Sequence, residues 1–286
     1  MSQATSSPAI GSGLQAELDP LDQRLSHNLA DIKHKLVVMS GKGGVGKSTV
    51  AVQLAVGLAL AGHSVGLLDV DLHGPSIPRM LGLKGHAEVL VDEQLIKPVI
   101  IDEGLKVISV ELLIPNKDAS VIWRGPMKIG VIRQLMGDVT WGNLDFLIID
   151  APPGTGDEPL TVAQNVEGAK VVLVTTPQEI ALADLRKSMD FCRKLELPVL
   201  GLVENMAGMI CPHCGEPVEF LGKGGGRDTA AKFGVKFLGS MPWDPRLMAA
   251  ADAGRLVELL RRERDEAAPW QGMVEEVRDL LGERKK

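Results

Sequence analysis

From residue 36 onward the chain alternates short apolar runs with longer stretches of mixed pattern. The runs are LVVMS at 36–40, VGLLD at 65–69, FLIID at 146–150, KVVLVT at 170–175, VLGLV at 199–203 and KFLGSM at 236–241. They are continuous and rich in branched residues rather than alternating, which predicts strands buried on both faces of a parallel sheet. Between 86 and 111, IKPVII and LKVISV predict a hairpin appended to that sheet. A helix over 48–61 places Val50, Leu54 and Leu58 on one face, with Ala51, Ala55 and Ala59 beside them for close packing. A short helix is expected over 18–29, and a last one carries Trp270, Met273, Val274, Val277, Leu280 and Leu281 at helical spacing. The fold class expected is α/β, a doubly wound, mostly parallel sheet with helices on both faces. Residues 1–32 read as an N-terminal extension, partly disordered because its start is rich in Ser, Gly, Ala and Thr. Residues 33–286 read as one domain.

Composition narrows the possibilities. Aromatics make up 3% of the 286 residues and Tyr is absent, so the core must rest on Val, Leu, Ile, Ala and Met. A net charge of −6 argues against nucleic-acid backbone binding, which needs a basic surface. There is no apolar run of about 18 residues, the length a membrane-spanning helix needs. The acidic face of the last helix argues against stable membrane association. Three cysteines do not make a disulfide framework, so a reducing, cytoplasmic setting fits best.

The sharpest motif is Gly41-Lys42-Gly43-Gly44-Val45-Gly46-Lys47-Ser48-Thr49, which satisfies G-x-x-x-x-G-K-[ST] between a strand and a helix. This is the phosphate loop of a P-loop NTPase. The glycines let successive N–H groups turn toward phosphate oxygens, and the helix N-terminus adds positive potential. Lys47 is assigned to the β- and γ-phosphates and Ser48 to Mg²⁺. Lys42 is an unusual second lysine. It is similar to the signature lysine of the deviant Walker A class, which includes the MinD/ParA partitioning ATPases, and there it reaches across a dimer to the partner's nucleotide.

Two acidic strand ends complete the candidate centre. Asp71 is the candidate for orienting the attacking water. Asp69 is placed nearer the metal's water shell, with capping of the following turn as the alternative. Asp150, ending an apolar strand, has the Walker B arrangement that holds a metal-bound water. Gly154 follows in a Pro-Pro-Gly turn whose N–H is a candidate γ-phosphate sensor. A guanine site would carry N-K-x-D, and Asn116-Lys117-Asp118-Ala119 has its Asp one place early, which favours ATP. Asn205, Pro242 and Asp244 are candidates for holding the base, each with a plain turn role as its rival.

Cys211 and Cys214 form a C-x-x-C in GMICPHCGEPVEF at 208–220. A tetrahedral zinc site or an iron–sulfur cluster takes four protein ligands, and this segment offers two thiols. A zinc knuckle, a redox pair and half of an iron–sulfur site all remain open on the residues alone. Cys192, in a helical stretch, reads as a buried small hydrophobe. Two-fold symmetry would supply the missing pair of thiols, and Lys42 asks for the same homodimer.

SGKGGVGKST, LLDVDLHGPSIPRMLG, WRGPM, DFLIIDAPPGTGDE, VENMAGMICPHCG and GSMPWDP follow in order over roughly 33–260. Together they resemble the Mrp/ApbC-type ATPases, a family of iron–sulfur cluster carriers. The resemblance implies a homodimer that binds a [4Fe–4S] cluster through paired Cys211 and Cys214, binds and slowly hydrolyses ATP with Mg²⁺, and passes the cluster to apo iron–sulfur proteins. It carries over Lys42, Lys47, Asp71, Asp150, Cys211 and Cys214. Many members have a small domain ahead of the phosphate loop, where this sequence has a short Ser/Gly-rich segment. The eukaryotic relatives' N-terminal cysteine cluster has no counterpart here. The alternatives are a MinD/ParA-like positioning or partitioning switch and an ATPase stapled by structural zinc.

Overall fold

The computed structural model describes residues 19–83, 88–90, 95–101, 104–114, 125–265 and 268–283. The Ser/Gly-rich start (1–18), the 116–119 string and Trp123 and Arg124 of the WRGPM motif lie outside the described residues. The strands are β1 (Ile32–Ser40), β2 (Val65–Asp69), β3 (Glu88–Leu90), β4 (Leu95–Lys97), β5 (Val99–Ile100), β6 (Lys106–Ser109), β7 (Leu144–Asp150), β8 (Lys170–Thr175), β9 (Val199–Ile210), β10 (Pro217–Val218) and β11 (Phe237–Trp243). The helices are α1 (Pro20–Ala30), α2 (Lys47–Leu60), α3 (Ile77–Met80), α4 (Gly125–Gly137), α5 (Asp157–Asn165), α6 (Glu179–Lys194), α7 (Gly225–Phe233), α8 (Pro245–Asp252), α9 (Leu256–Arg262) and α10 (Pro269–Leu280).

Across the main sheet the order is β5, β6, β2, β7, β1, β8, β9 and β11, with β10 pairing to the far end of β9. All these pairings are parallel except those of β5 and β10. The apolar runs explain the layering. Along β1, Leu36 and Val38 enter one core while Val37 and Met39 enter the other, so helices must cover both faces. One core takes α1, α4, α5 and α6, and the other takes α2, α9 and α10. Cys192 is fully buried in the first, where desolvation pushes its thiol up to about 11, so it behaves as a core residue.

The 86–111 region departs from the appended hairpin that its pattern suggests. β5 does pair antiparallel with β6, but β6 lies inside the sheet, parallel to β2. Val107 and Ile108 are fully buried on opposite faces, which draws the strand in. β4 pairs with β3 instead. Helix α2 also differs from a one-faced helix. Val50 through Leu60 are all buried, because α10 covers the side away from the sheet. The apolar stripe of α10 does that covering: Trp270, Met273, Val274 and Val277 are buried, while Leu280 stays exposed. The two helices meet closest at Gly57, where a Cβ would lie 2.5 Å from Val274 Cγ2 and 2.9 Å from Trp270 Cζ3. Trp270 also donates its Nε1–H to Glu263 Oε2 at 3.2 Å.

Trp270→Ala is therefore expected to destabilise the protein by about 3–5 kcal/mol in guanidinium denaturation. A loss below about 1 kcal/mol would contradict the packing role of the stripe.

Candidate functional site

β1 ends at Ser40, and the loop 41–46 turns back before α2 begins at Lys47. Gly44 and Gly46 both have φ of 79°, a left-handed conformation that glycine adopts without strain. Gly46 is the N-cap of α2 and supplies no side-chain cap, so the first N–H groups of the helix remain available to an anion. A Cβ at Gly46 would lie 2.1 Å from Asn205 Nδ2, and one at Gly41 would lie 2.4 Å from the Asp184 backbone. The loop is thus pressed between α6 and β9. Asn205 braces it directly, donating Nδ2–H to the Val45 carbonyl at 2.9 Å.

The parallel register sets Asp150 at the end of β7 beside Asp69 at the end of β2. Asp150 is fully buried. Its Oδ1 accepts from Lys47 Nζ at 2.7 Å and its Oδ2 accepts from Ser48 Oγ at 2.5 Å. Lys47 Nζ also lies 3.5 Å from Asp71 Oδ2. Burial alone would lower the Lys47 pKa, but Asp150 and then Asp71 outweigh it and hold the ammonium above its usual value. Burial raises Asp150, against the pull of Lys47. Asp69 is pushed up to about 8 by burial and by the neighbouring Asp150, despite Lys47. Its Oδ1 accepts the Asp71 N–H at 3.1 Å and its Oδ2 bonds Ser109 Oγ at 3.0 Å. It therefore caps the turn that follows it. Asp71, mostly buried, bonds the His73 N–H through Oδ1 at 3.3 Å.

A cavity of about 610 Å³ lies over this cluster, within the range of small-ligand sites. Its lining takes in Gly43, Gly44, Gly46, Lys47, Ser48, Thr49 and Asp71 together with Asn205, Pro242, Trp243 and Asp244. Asp244 also N-caps α8 by accepting the Arg246 N–H at 2.8 Å, so it serves the cap as well as the wall. Asp69 and Asp150 lie outside the lining, as does half-exposed Lys42. The Gly154 N–H donates to the Ser40 carbonyl at 2.8 Å, tying the turn after β7 to the end of β1. Ser48 and Asp150 bring a hydroxyl and a carboxylate together, a hard oxygen pair that suits Mg²⁺.

Sequence reasoning missed several neighbours. His73, Ser76, Met80 and Met206 also line the cavity. His73 Nε2 lies 3.2 Å from Glu158 Oε1, and Lys128 Nζ lies 2.8 Å from the same oxygen. The only sequence signal for His73 and Ser76 is their place in the DVDLHGPS string, directly after the aspartates. Met206 has φ of 57°, a strained geometry for a side-chain-bearing residue that costs about 1–3 kcal/mol. Glu204 is buried and its carboxylate accepts from the N–H groups of Gly224 at 2.9 Å and Gly226 at 2.5 Å, capping α7. An acidic residue inside an apolar strand was its only sequence signal.

β9 continues past Asn205 to Ile210 and delivers the cysteine pair at its tip. The antiparallel pairs Pro217–Ile210 and Val218–Met209 close a short hairpin. Within it the Cys211 N–H donates to the Glu216 carbonyl and the Gly215 N–H to the Cys211 carbonyl, each at 2.9 Å. Backbone N–H groups of Cys214 and His213, followed by the Cys214 side chain, hold the Cys211 thiol below its ordinary pKa. Cys214 is exposed. Among the described residues, no cluster of three or more His, Cys, Asp or Glu side chains is placed to hold a metal. The two soft thiolate donors thus suit a thiophilic metal or cluster, and among the described residues of one chain its ligand set stays incomplete.

Comparison with known proteins gives the family and the fold. Residues 31–278 match the model of the ParA family described as NUBPL iron-transfer P-loop NTPase. An iron-sulfur cluster carrier protein of Methanocaldococcus jannaschii is 46% identical over 242 residues, covering 84% of this chain and 82% of that protein. A cytosolic Fe-S cluster assembly factor NUBP2 homolog of Culex quinquefasciatus is 50% identical over 232 residues, covering 79% and 90%. A nucleotide-binding protein of Archaeoglobus fulgidus, solved in complex with ADP, superposes with a TM-score of 0.73 at 42% identity, covering 83% and 93%. The septum site-determining protein MinD of Pyrococcus horikoshii, at 23% identity and a TM-score of 0.63 over 89% and 100%, shares the fold. No helix among the described residues is long and apolar enough to cross a membrane.

The raised Asp69 pKa carries a stability consequence. Between its ordinary value of 3.8 and about 8, the folded state keeps a proton that the unfolded chain releases. Stability from this group is therefore full at low pH and falls as pH rises through that window. Asp69→Asn mimics the protonated form. In chelator-treated, nucleotide-free protein, its urea midpoint should fall less across the window than that of the parent protein. Parallel pH profiles would contradict the assignment.

Proposed function

Because the chain belongs to the NUBPL iron-transfer P-loop NTPase family, we propose that it is an ATP-hydrolysing iron–sulfur cluster carrier acting as a homodimer. One observation carries this reading: strand β9 serves both chemistries. Asn205 on β9 braces the phosphate loop, and Cys211 follows the last residue of the same strand. A positioning switch of the MinD type needs no cysteine pair there. The burial of the α10 stripe also removes the face that such a switch would offer a membrane.

In this reading the loop from Gly41 to Thr49 cradles the ATP phosphates. Lys47 leaves its carboxylate partners for the β- and γ-phosphates. Ser48 and the water held by Asp150 would bind Mg²⁺, which neutralises charge on the transferred phosphoryl group. Asp71, the carboxylate of the cluster that reaches the cavity wall, orients the attacking water, while Asp69 fixes the turn that aims it. Lys42, outside its own cavity lining, reaches the partner's nucleotide. Asn205, Pro242 and Asp244 hold the base end. Gly154 exchanges the Ser40 carbonyl for a γ-phosphate oxygen, so the loop after β7 registers hydrolysis.

The cargo is a [4Fe–4S] cluster held by Cys211 and Cys214 of both protomers and delivered to apo iron–sulfur proteins in the cytoplasm. The incomplete ligand set among the described residues of one chain supports the shared site. A net charge of −6 supports the absence of a nucleic-acid role. Residues 33–286 act as one ATPase domain behind the N-terminal extension.

Lys47→Ala should lower ATP turnover by about 10²–10³-fold, and Asp71→Ala should keep ADP affinity while lowering kcat by about 10²-fold or more. Unchanged turnover in either variant, measured as phosphate release, would contradict its role. Cys211→Ala should lose iron after anaerobic reconstitution with an unchanged circular dichroism spectrum. Unfolding of that variant would favour structural zinc.

A further inference from the structure

A second physical route joins the nucleotide cavity to the cysteine hairpin. The chain leaving the knuckle passes Val218 in β10 and reaches Phe220, whose side chain is 47% exposed. The Phe220 ring packs on Trp243 with centroids 6.2 Å apart and planes at 88°, the edge-to-face arrangement that aromatic pairs favour. Trp243 is the last residue of β11, and it lines the nucleotide cavity. One ring pair thus reaches from the cavity wall to the base of the hairpin.

Apart from the pairing of Met209 with Trp243 where β9 runs beside β11, the hairpin has few other anchors. The backbone bonds of Cys211 and Gly215 stay within it, and Ile210, Val218 and Phe220 are exposed around it. Its return segment rejoins the body at Gly224 and Gly226, through Glu204. A segment with so few buried contacts opens locally at low cost, so a single seat carries a large share of its order. Nothing in ATP hydrolysis or metal ligation requires Phe220.

We propose that the Phe220–Trp243 contact is a positioning contact through which occupancy of the nucleotide cavity sets the exposure of Cys211 and Cys214. Nucleotide against Trp243 restricts that ring. An edge-to-face pair depends on orientation, so a fixed indole gives Phe220 a fixed seat and steadies the hairpin. Reciprocity requires that a metal steadying the thiols also tighten nucleotide binding. The inference rests on the nucleotide part of the proposed function and is independent of which metal the thiols hold.

The test is the rate at which a chromogenic disulfide reagent modifies the thiols of the reduced, metal-free full chain, with and without ADP. ADP affinity is measured by calorimetry on the same samples. Cys192 is fully buried and stays silent in the native protein. ADP should slow modification of the parent protein by about fivefold. At saturating ADP, Phe220→Ala should react at one rate with or without nucleotide and bind ADP more weakly by no more than that same factor of about five, and Phe220→Tyr should restore both. The proposal is overturned if Phe220→Ala retains the full effect, or if the parent protein binds ADP with no change in thiol rate. A parent protein that binds no ADP would overturn the nucleotide site itself, and this inference with it.

Discussion

Lys47 is an ammonium held inside a protein core, and its ion pairs with Asp150 and Asp71 are the constraint around which the site is built. A buried charge is tolerated only when paired, and removing one partner costs more than the pair itself contributes. The pairing works only if two strand ends and a helix start meet at one point. Parallel register aligns Asp150 with Asp69 and with Val38, just short of the phosphate loop. The apolar layers on both faces hold that register, because a slip of one residue would exchange the two cores. Three carboxylates against one lysine leave an excess of negative charge out of water. Asp69 absorbs it by holding its proton up to about pH 8.

That arrangement also gives the cluster its chemistry. Lys47 and Ser48 both lean on Asp150, so a ligand bearing phosphates and a divalent metal would replace bonds that are already formed rather than meet unpaired groups. The left-handed glycines and the uncapped start of α2 supply N–H donors to the same point. β9 runs along the edge of this centre and ends in the cysteine knuckle, and β11 beside it ends in Trp243. Two neighbouring strands thus lead from one site to the other, and the distance between the two chemistries is spanned by backbone rather than by a flexible linker.

Much of this was legible in the chain itself. The runs from LVVMS to KFLGSM mark the central strands because both faces are covered and no polar alternation intrudes. The phosphate loop is local, so its residues stand in order. The sequence could not show which distant residue satisfies each buried group. Ser109 bonds Asp69 from 40 residues away, and Glu204 caps a helix 20 residues further on. Asn205 was expected at the base end and does line the cavity, while its Nδ2 also braces the loop at the Val45 carbonyl, a bond no local pattern announces. β6 joined the sheet, rather than hanging from it, because of burial that only the assembled layers create. The Phe220–Trp243 contact links the turn after β10 to the end of β11, and their proximity follows from the pairing of β9 with β11, which no local pattern encodes.

The central claim is that two cysteine pairs from two copies of this chain complete one site beside the nucleotide centre. Native mass spectrometry of the anaerobically reconstituted protein tests it most directly. The account predicts a dimer carrying a single [4Fe–4S] cluster, with the cluster lost when Cys214 is replaced by Ala. A monomer holding its own zinc ion, with both cysteines engaged in one chain, would contradict it.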